Sequence, residues 1–67
     1  MAILKVIEVL AESDQSWEAA AQEAVREASE TLENLRSIYI KEFKALVENN
    51  KIVKYRIIGK ISFEVRQ

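Results

Sequence analysis

The stretch SWEAAAQEAVREASETLENL, residues 16–35, decides how the rest of the chain is read. Trp17, Ala20, Ala21, Ala24, Val25, Ala28, Leu32 and Leu35 recur at helical spacing and form one apolar stripe. Glu18, Gln22, Glu23, Arg26, Glu27, Glu30 and Glu33 fall on the opposite side. The spacing predicts a helix from Trp17 to about Leu35, about 20 residues and roughly 30 Å long at 1.5 Å per residue. Its middle is alanine, small enough to let the axis lie close to a sheet, with Trp17 and Leu32 filling the ends. Ser13 or Ser16 is positioned to cap the free N–H groups of the first turn. Asp14 and Glu18 place negative charge where the helix dipole favours it. Asn34 tolerates the left-handed conformation that ends a helix.

Outward from the helix, the chain reads as strands. Ile3 to Leu10 is short, apolar and rich in β-branched residues, which favours a strand, and Ala11 to Ser16 reads as a polar break. Arg36 to Glu48 predicts a second strand whose alternation changes phase. Ile38 and Ile40 share one parity, whereas Phe43, Ala45 and Val47 share the other, so a bulge or bend is expected near Lys41 and Glu42. Glu48-Asn49-Asn50-Lys51 reads as a tight hairpin turn, because asparagine accepts positive φ. The third strand alternates without interruption. Val53, Tyr55, Ile57, Gly59, Ile61, Phe63 and Val65 face one way, and Lys54, Arg56, Ile58, Lys60, Ser62 and Glu64 face the other. The expected fold class is α+β, a β-α-β-β domain over residues 1–67 in which a three-stranded antiparallel sheet meets one long helix.

A chain of 67 residues is small enough to need help in holding its fold. It has no cysteine for a disulfide and neither cysteine nor histidine for a zinc site. Self-assembly is the support that remains, and a hydrophobic content of 49% agrees with it. Ten basic and eleven acidic residues leave no basic excess for nucleic acid. No apolar run approaches a membrane span, and MAILKVIEVL has no signal-peptide pattern, so a cytoplasmic location is the default expectation. Catalysis has little support: there is no histidine, no thiol nucleophile and no glycine-rich phosphate loop.

Three segments taken in order carry a family resemblance. They are Lys5-Val6-Ile7-Glu8-Val9, then Ser16-Trp17-Glu18-Ala19-Ala20-Ala21 running through Glu23-Ala24-Val25 to Thr31-Leu32-Glu33-Asn34-Leu35-Arg36, then Tyr55-Arg56-Ile57 with Lys60-Ile61-Ser62-Phe63-Glu64-Val65. Together they resemble the dodecins across nearly the whole chain. The resemblance implies a sheet wrapped around the helix, twelve copies in a hollow homo-dodecamer, and a binding or storage protein instead of an enzyme. Typical members hold flavins such as FMN or riboflavin near the two-fold axes, and some bind coenzyme A.

The same resemblance exposes a departure. Flavin-binding members carry a tryptophan, just after the Leu-Arg that opens the second strand, that stacks on the flavin; here the position is Ser37. A third-strand glutamine that bonds the flavin edge is Arg56 here. Serine has no ring to stack. A guanidinium can stack and donate but cannot accept from the flavin imide. Tyr39, two residues on from Ser37, is the available aromatic substitute. The Trp-less pattern is similar to a calcium-binding dodecin subgroup, although no linear calcium loop is present and no acid is marked as a ligand. The family flavin-pocket positions are therefore Ser37, Tyr39 and Arg56, with flavin, coenzyme A and calcium as candidate ligands and other copies of the chain as the expected partner.

Other residues have plainer readings. Trp17, Tyr55 and Phe63 read as packing residues, Arg36 and Arg56 as partners of carboxylates across the sheet or an interface, and the acidic helix face as solvated surface with i,i+3 and i,i+4 pairs. Lys41, Lys44, Lys54 and Lys60 would bias the charge of a cavity lined by the sheet. A structural or protein-interaction module is the rival class, with the exposed sheet meeting a different protein.

Overall fold

β1 spans Ile3–Ser13, α1 Trp17–Ser29, β2 Leu35–Glu48 and β3 Lys51–Val65. The structure, a computed structural model, describes residues 2–65. The sheet is antiparallel throughout, in the order β1-β3-β2, so the last strand lies in the middle. This is the β-α-β-β arrangement expected from the sequence.

The helix lies on the face presented by Ile57, Gly59 and Ile61. Ala20 and Ala24 on the helix and Ile57 and Ile61 on β3 are the buried apolar side chains among the described residues. Gly59 sits tight against the neighbouring strand β2. A Cβ built there would sit 3.3 Å from the Ile38 side chain and from the Tyr39 carbonyl oxygen on β2.

Two boundaries differ from expectation. The helix has 13 residues instead of about 20, ending at Ser29. The Ser29 hydroxyl donates to the Arg26 carbonyl at 2.6 Å, which competes with the helical ladder. Glu30 then caps the helix, and Leu32 bonds back to Ala28. Asn34 does take a positive φ of 62°, but as the turn into β2. Second, Ala11, Glu12 and Ser13 belong to β1, where the sequence suggests a break. They pair with Ile57, Arg56 and Tyr55, because β3 is long enough to extend the ladder beyond the apolar run.

The third strand is not uninterrupted: Leu46 pairs with Lys54 and Val47 with Ile52, which leaves Val53 without a partner on β2. Three other local expectations hold. Ser16 is the N-cap and accepts from the Ala19 N–H at 2.9 Å. Asn49 and Asn50 have φ of 51° and 64°, the two positive angles of a tight hairpin. The phase change in β2 is absorbed by a register shift between Ile40 and Glu42. As a result Ile38, Ile40, Phe43 and Ala45 all pair with helix-side positions of β3 despite their mismatched parity.

The β2–β3 hairpin runs past the start of the helix. The molecule measures 51 × 20 × 12 Å, and its radius of gyration of 13.8 Å exceeds the about 11 Å of a compact domain of this length. Among the described residues, no helix is long and apolar enough to cross a membrane.

Candidate functional site

The face of the sheet turned away from the helix carries the polar positions of the third strand. Cross-strand pairing aligns Val6, Ser62 and Ser37 in one row, then Glu8, Lys60 and Tyr39, then Leu10, Ile58 and Glu42, and finally Glu12, Arg56 and Lys44. Ser37, Tyr39 and Arg56 therefore share one face.

They do not share one spot. The Ser37 and Ser62 hydroxyls are hydrogen-bonded at 2.6 Å. Tyr39, two residues on, is 65% exposed. Arg56 lies six residues from Ser62 along β3, about 20 Å away at strand rise. A single chain brings Ser37 and Tyr39 together and leaves Arg56 at the far end, so a site using all three takes them from more than one copy.

Arg56 is held by its neighbours. Its Nε donates to Glu12 Oε2 at 2.6 Å, and its Nη2 reaches the same carboxylate. Lys54 Nζ stands 3.7 Å from the other oxygen. The Arg56 hydrogen bond holds the Glu12 carboxyl below its ordinary value. Partial burial opposes that shift, and the charges of Arg56 and Lys54 reinforce it. The pairing of Arg36 with Glu64 is a second cross-strand clamp. Sequence reasoning missed Glu12, which it placed in a polar break, because its position is set by the non-local pairing with Arg56.

The recess beside Arg56, lined by Leu10, Glu42, Lys44 and Ile58, encloses about 50 Å³. Small-molecule pockets usually begin near 300 Å³. The larger hollows, about 550 and 820 Å³, flank the two ends of the helix and are open grooves.

The acidic groups are dispersed among cations. Glu23, Glu27 and Glu30 surround Arg26 on the helix, with Glu23 Oε2 at 2.6 Å from Arg26 Nε. That hydrogen bond lowers the Glu23 pKa and raises that of Arg26. Glu8 lies 4.0 Å from Lys41. Among the described residues, no three acidic side chains are grouped so that they could hold a metal ion. Calcium takes six to eight oxygens. The described residues of one chain thus present no acidic cluster around which a calcium cage could form.

Trp17 is a packing residue. Its ring meets Tyr55 edge-on at 4.9 Å and Phe43 at 5.8 Å, and its indole N–H donates to the Lys44 carbonyl at 3.0 Å.

The strand order, the single helix and the open outer face define a small β-α-β-β protein in which one sheet half-covers one helix. The family model for dodecin matches residues 3–66, and the chain belongs to the dodecin family. It is 35% identical to calcium dodecin of Mycobacterium tuberculosis over 66 residues, which is 98% of this chain and 93% of that protein. The crystal structure of that calcium-chelating antigen, described with a novel calcium-binding site, superposes with a TM-score of 0.82 at 34% identity, covering 96% of this chain and 91% of that one. A dodecin from Thermus thermophilus superposes with a TM-score of 0.93 at 24% identity over the full length of both chains, a likeness of fold.

Proposed function

We propose that this chain is the subunit of a hollow homo-dodecamer that binds or stores a small ligand, that the ligand is calcium and not a sandwiched flavin, and that the protein is not an enzyme. The observation that carries the reading is the Ser37–Ser62 hydroxyl pair. It stands where a flavin site needs a flat ring, and two small hydroxyls offer neither area nor a π-face. The likeness to calcium dodecin supports the same direction. Carboxylates from neighbouring copies, brought together by symmetry, would provide the oxygens that one chain lacks. A cytoplasmic location belongs to this reading.

One observation favours a flavin alternative: Tyr39 is exposed beside Ser37 and offers a ring to an isoalloxazine. The two readings separate in one experiment. Native mass spectrometry of freshly purified protein should give a species of twelve subunits, and calorimetric titration with calcium should give saturable binding. Added riboflavin should keep its fluorescence. Retained mass matching FMN, riboflavin or coenzyme A, with tight quenching of flavin fluorescence and no calcium heat, would reverse the assignment. A stable complex with a different protein and no homo-oligomer would support the protein-interaction module.

A further inference from the structure

β1 is an edge strand, and its free edge is regular. Its eleven residues pair one for one with β3, from Ile3 opposite Val65 to Ser13 opposite Tyr55, without a register shift. β2, the other edge strand, is interrupted by three such shifts. In an antiparallel pair, every second residue of an edge strand turns its N–H and C=O away from the neighbour. Among the described residues, no backbone group from Ile3 to Glu12 bonds to backbone outside the β1–β3 ladder. Natural edges are usually blunted by a bulge, a proline or a well-placed lysine. β1 has no bulge and no proline, and its one lysine, Lys5, lies near its start.

A groove follows that edge. It encloses about 420 Å³ between β1 and α1. Ile7, Val9 and Ala11 line it from the helix side of the strand, Leu10 and Glu12 line it from the other side, and no β3 residue reaches it. Ala24 and Ala28 form the wall contributed by the helix. The space therefore lies where a fourth strand would run, about 4.8 Å from β1. We propose that this edge docks an extended peptide of another protein, which adds to the sheet as a fourth strand and lays alternate apolar side chains into the groove. Neither calcium nor the number of subunits enters into it.

Charge selects the occupant. Glu12, Glu23 and Glu27 are the charged side chains lining the groove, and no cation lines it. On the helix rim, Glu23, Glu27 and Glu30 are answered by Arg26 alone, so the rim stays negative. A strand whose apolar residues are flanked by lysine or arginine meets opposite charge there. A second copy of this chain fits less well. Two β1 edges joined antiparallel about a two-fold axis would bring two helices, and with them two acidic rims, to the same side of the joined sheet, where they repel.

The probe is a fluorescein-labelled nonapeptide of alternating valine and threonine with a lysine at each end. It is titrated into the assembled protein and followed by fluorescence anisotropy, with hydrogen exchange read by mass spectrometry in parallel. Saturable binding is expected, with new protection confined to residues 3–12. Methylating the backbone nitrogens of every second peptide residue should abolish binding in one phase and spare it in the other, because only one phase faces β1. Exchanging the terminal lysines for glutamates, or Glu27→Lys in the protein, should weaken binding up to roughly tenfold. Glu27 is exposed, and native mass spectra check that the variant assembles as the wild type does. Equal binding of both methylated peptides would overturn strand addition, and no binding at millimolar peptide would overturn the site. Indifference to both charge changes would overturn the basic partner. Slow exchange of the outward β1 amides in the protein alone, matching that of β3, would mean that a second copy already closes the edge, and that also overturns the proposal.

Discussion

Glu12 and Arg56 illustrate how a residue's role depends on its cross-strand partner. Arg56 stands directly opposite Lys44 on one side, an unfavourable pairing of like charges, and opposite Glu12 on the other. Glu12 relieves that repulsion and fixes the guanidinium at once. Its folded pKa lies below the ordinary 4.5, so the folded state takes up the proton less readily than the unfolded chain. The resulting stabilisation is complete above the ordinary carboxylate value and is lost as pH falls through the lowered folded value. Glu12→Gln should therefore be less stable than wild type at neutral pH, with the difference shrinking as the solution becomes strongly acidic. Urea midpoints at matched protein concentration measure it. The effect should be modest because both side chains reach solvent. Glu23, also held low by Arg26, is common to both proteins and cancels. A gap independent of pH would mean that Glu12 acts through its shape alone. Gly59 makes a separate prediction. A methyl group there would press on the Tyr39 carbonyl and the Ile38 side chain at 3.3 Å. The neighbours would have to give by a few tenths of an ångström, so the same denaturation curves on Gly59→Ala decide whether overpacking outweighs the restriction of the unfolded chain.

At the scale of elements, the helix start was legible and its end was not. Ser16 caps it because a serine stands immediately before the first stripe residue, and Ser16→Ala should cost about 1 kcal/mol of stability in thermal or urea unfolding. Trp17→Phe keeps a ring against Tyr55 but removes the donor to Lys44, also at a cost of about 1 kcal/mol. An unchanged stability would show that solvent replaces that bond freely. The helix was expected to continue through Leu32 because Leu32 and Leu35 keep the helical period. Periodicity does not register a serine that bonds its own preceding turn, nor a chain that leaves the helix while its leucines still point inward. The β1 boundary failed for the converse reason. Its last three residues are held by pairing with β3, a non-local contact that no local pattern encodes. The bulge near Lys41 was legible because a parity change within one strand has few other solutions. Alternation within β2 puts Ser37 and Tyr39 on one side, but that Arg56 shares that side follows from the β2–β3 register, which alternation does not give. Nor does alternation give the about 20 Å that separates Arg56 from the other two.

At the scale of the whole molecule, the fold leaves its own work unfinished. Four buried apolar side chains among the described residues are a small core for a chain that is 49% hydrophobic. Both sheet faces keep exposed aliphatic and aromatic residues, among them Leu4, Val6 and Leu10 on the outer face and Phe43 on the inner. Contacts between copies would bury these groups, so the stability of the fold should depend on protein concentration. For assembly into twelve subunits, each tenfold dilution removes about 1.2 kcal/mol per subunit by mass action. In a domain of this size, 1 kcal/mol corresponds to about 4–8 °C in melting temperature. Melting followed by circular dichroism from micromolar to nanomolar subunit concentration should therefore fall by several degrees per decade. A flat series has two causes, which native mass spectra at the same dilutions tell apart. Intact shells at every dilution would mean that unfolding happens within an assembly too slow to exchange. Monomers with an unchanged melting temperature would mean that the small core suffices alone, and the exposed faces would then need another explanation.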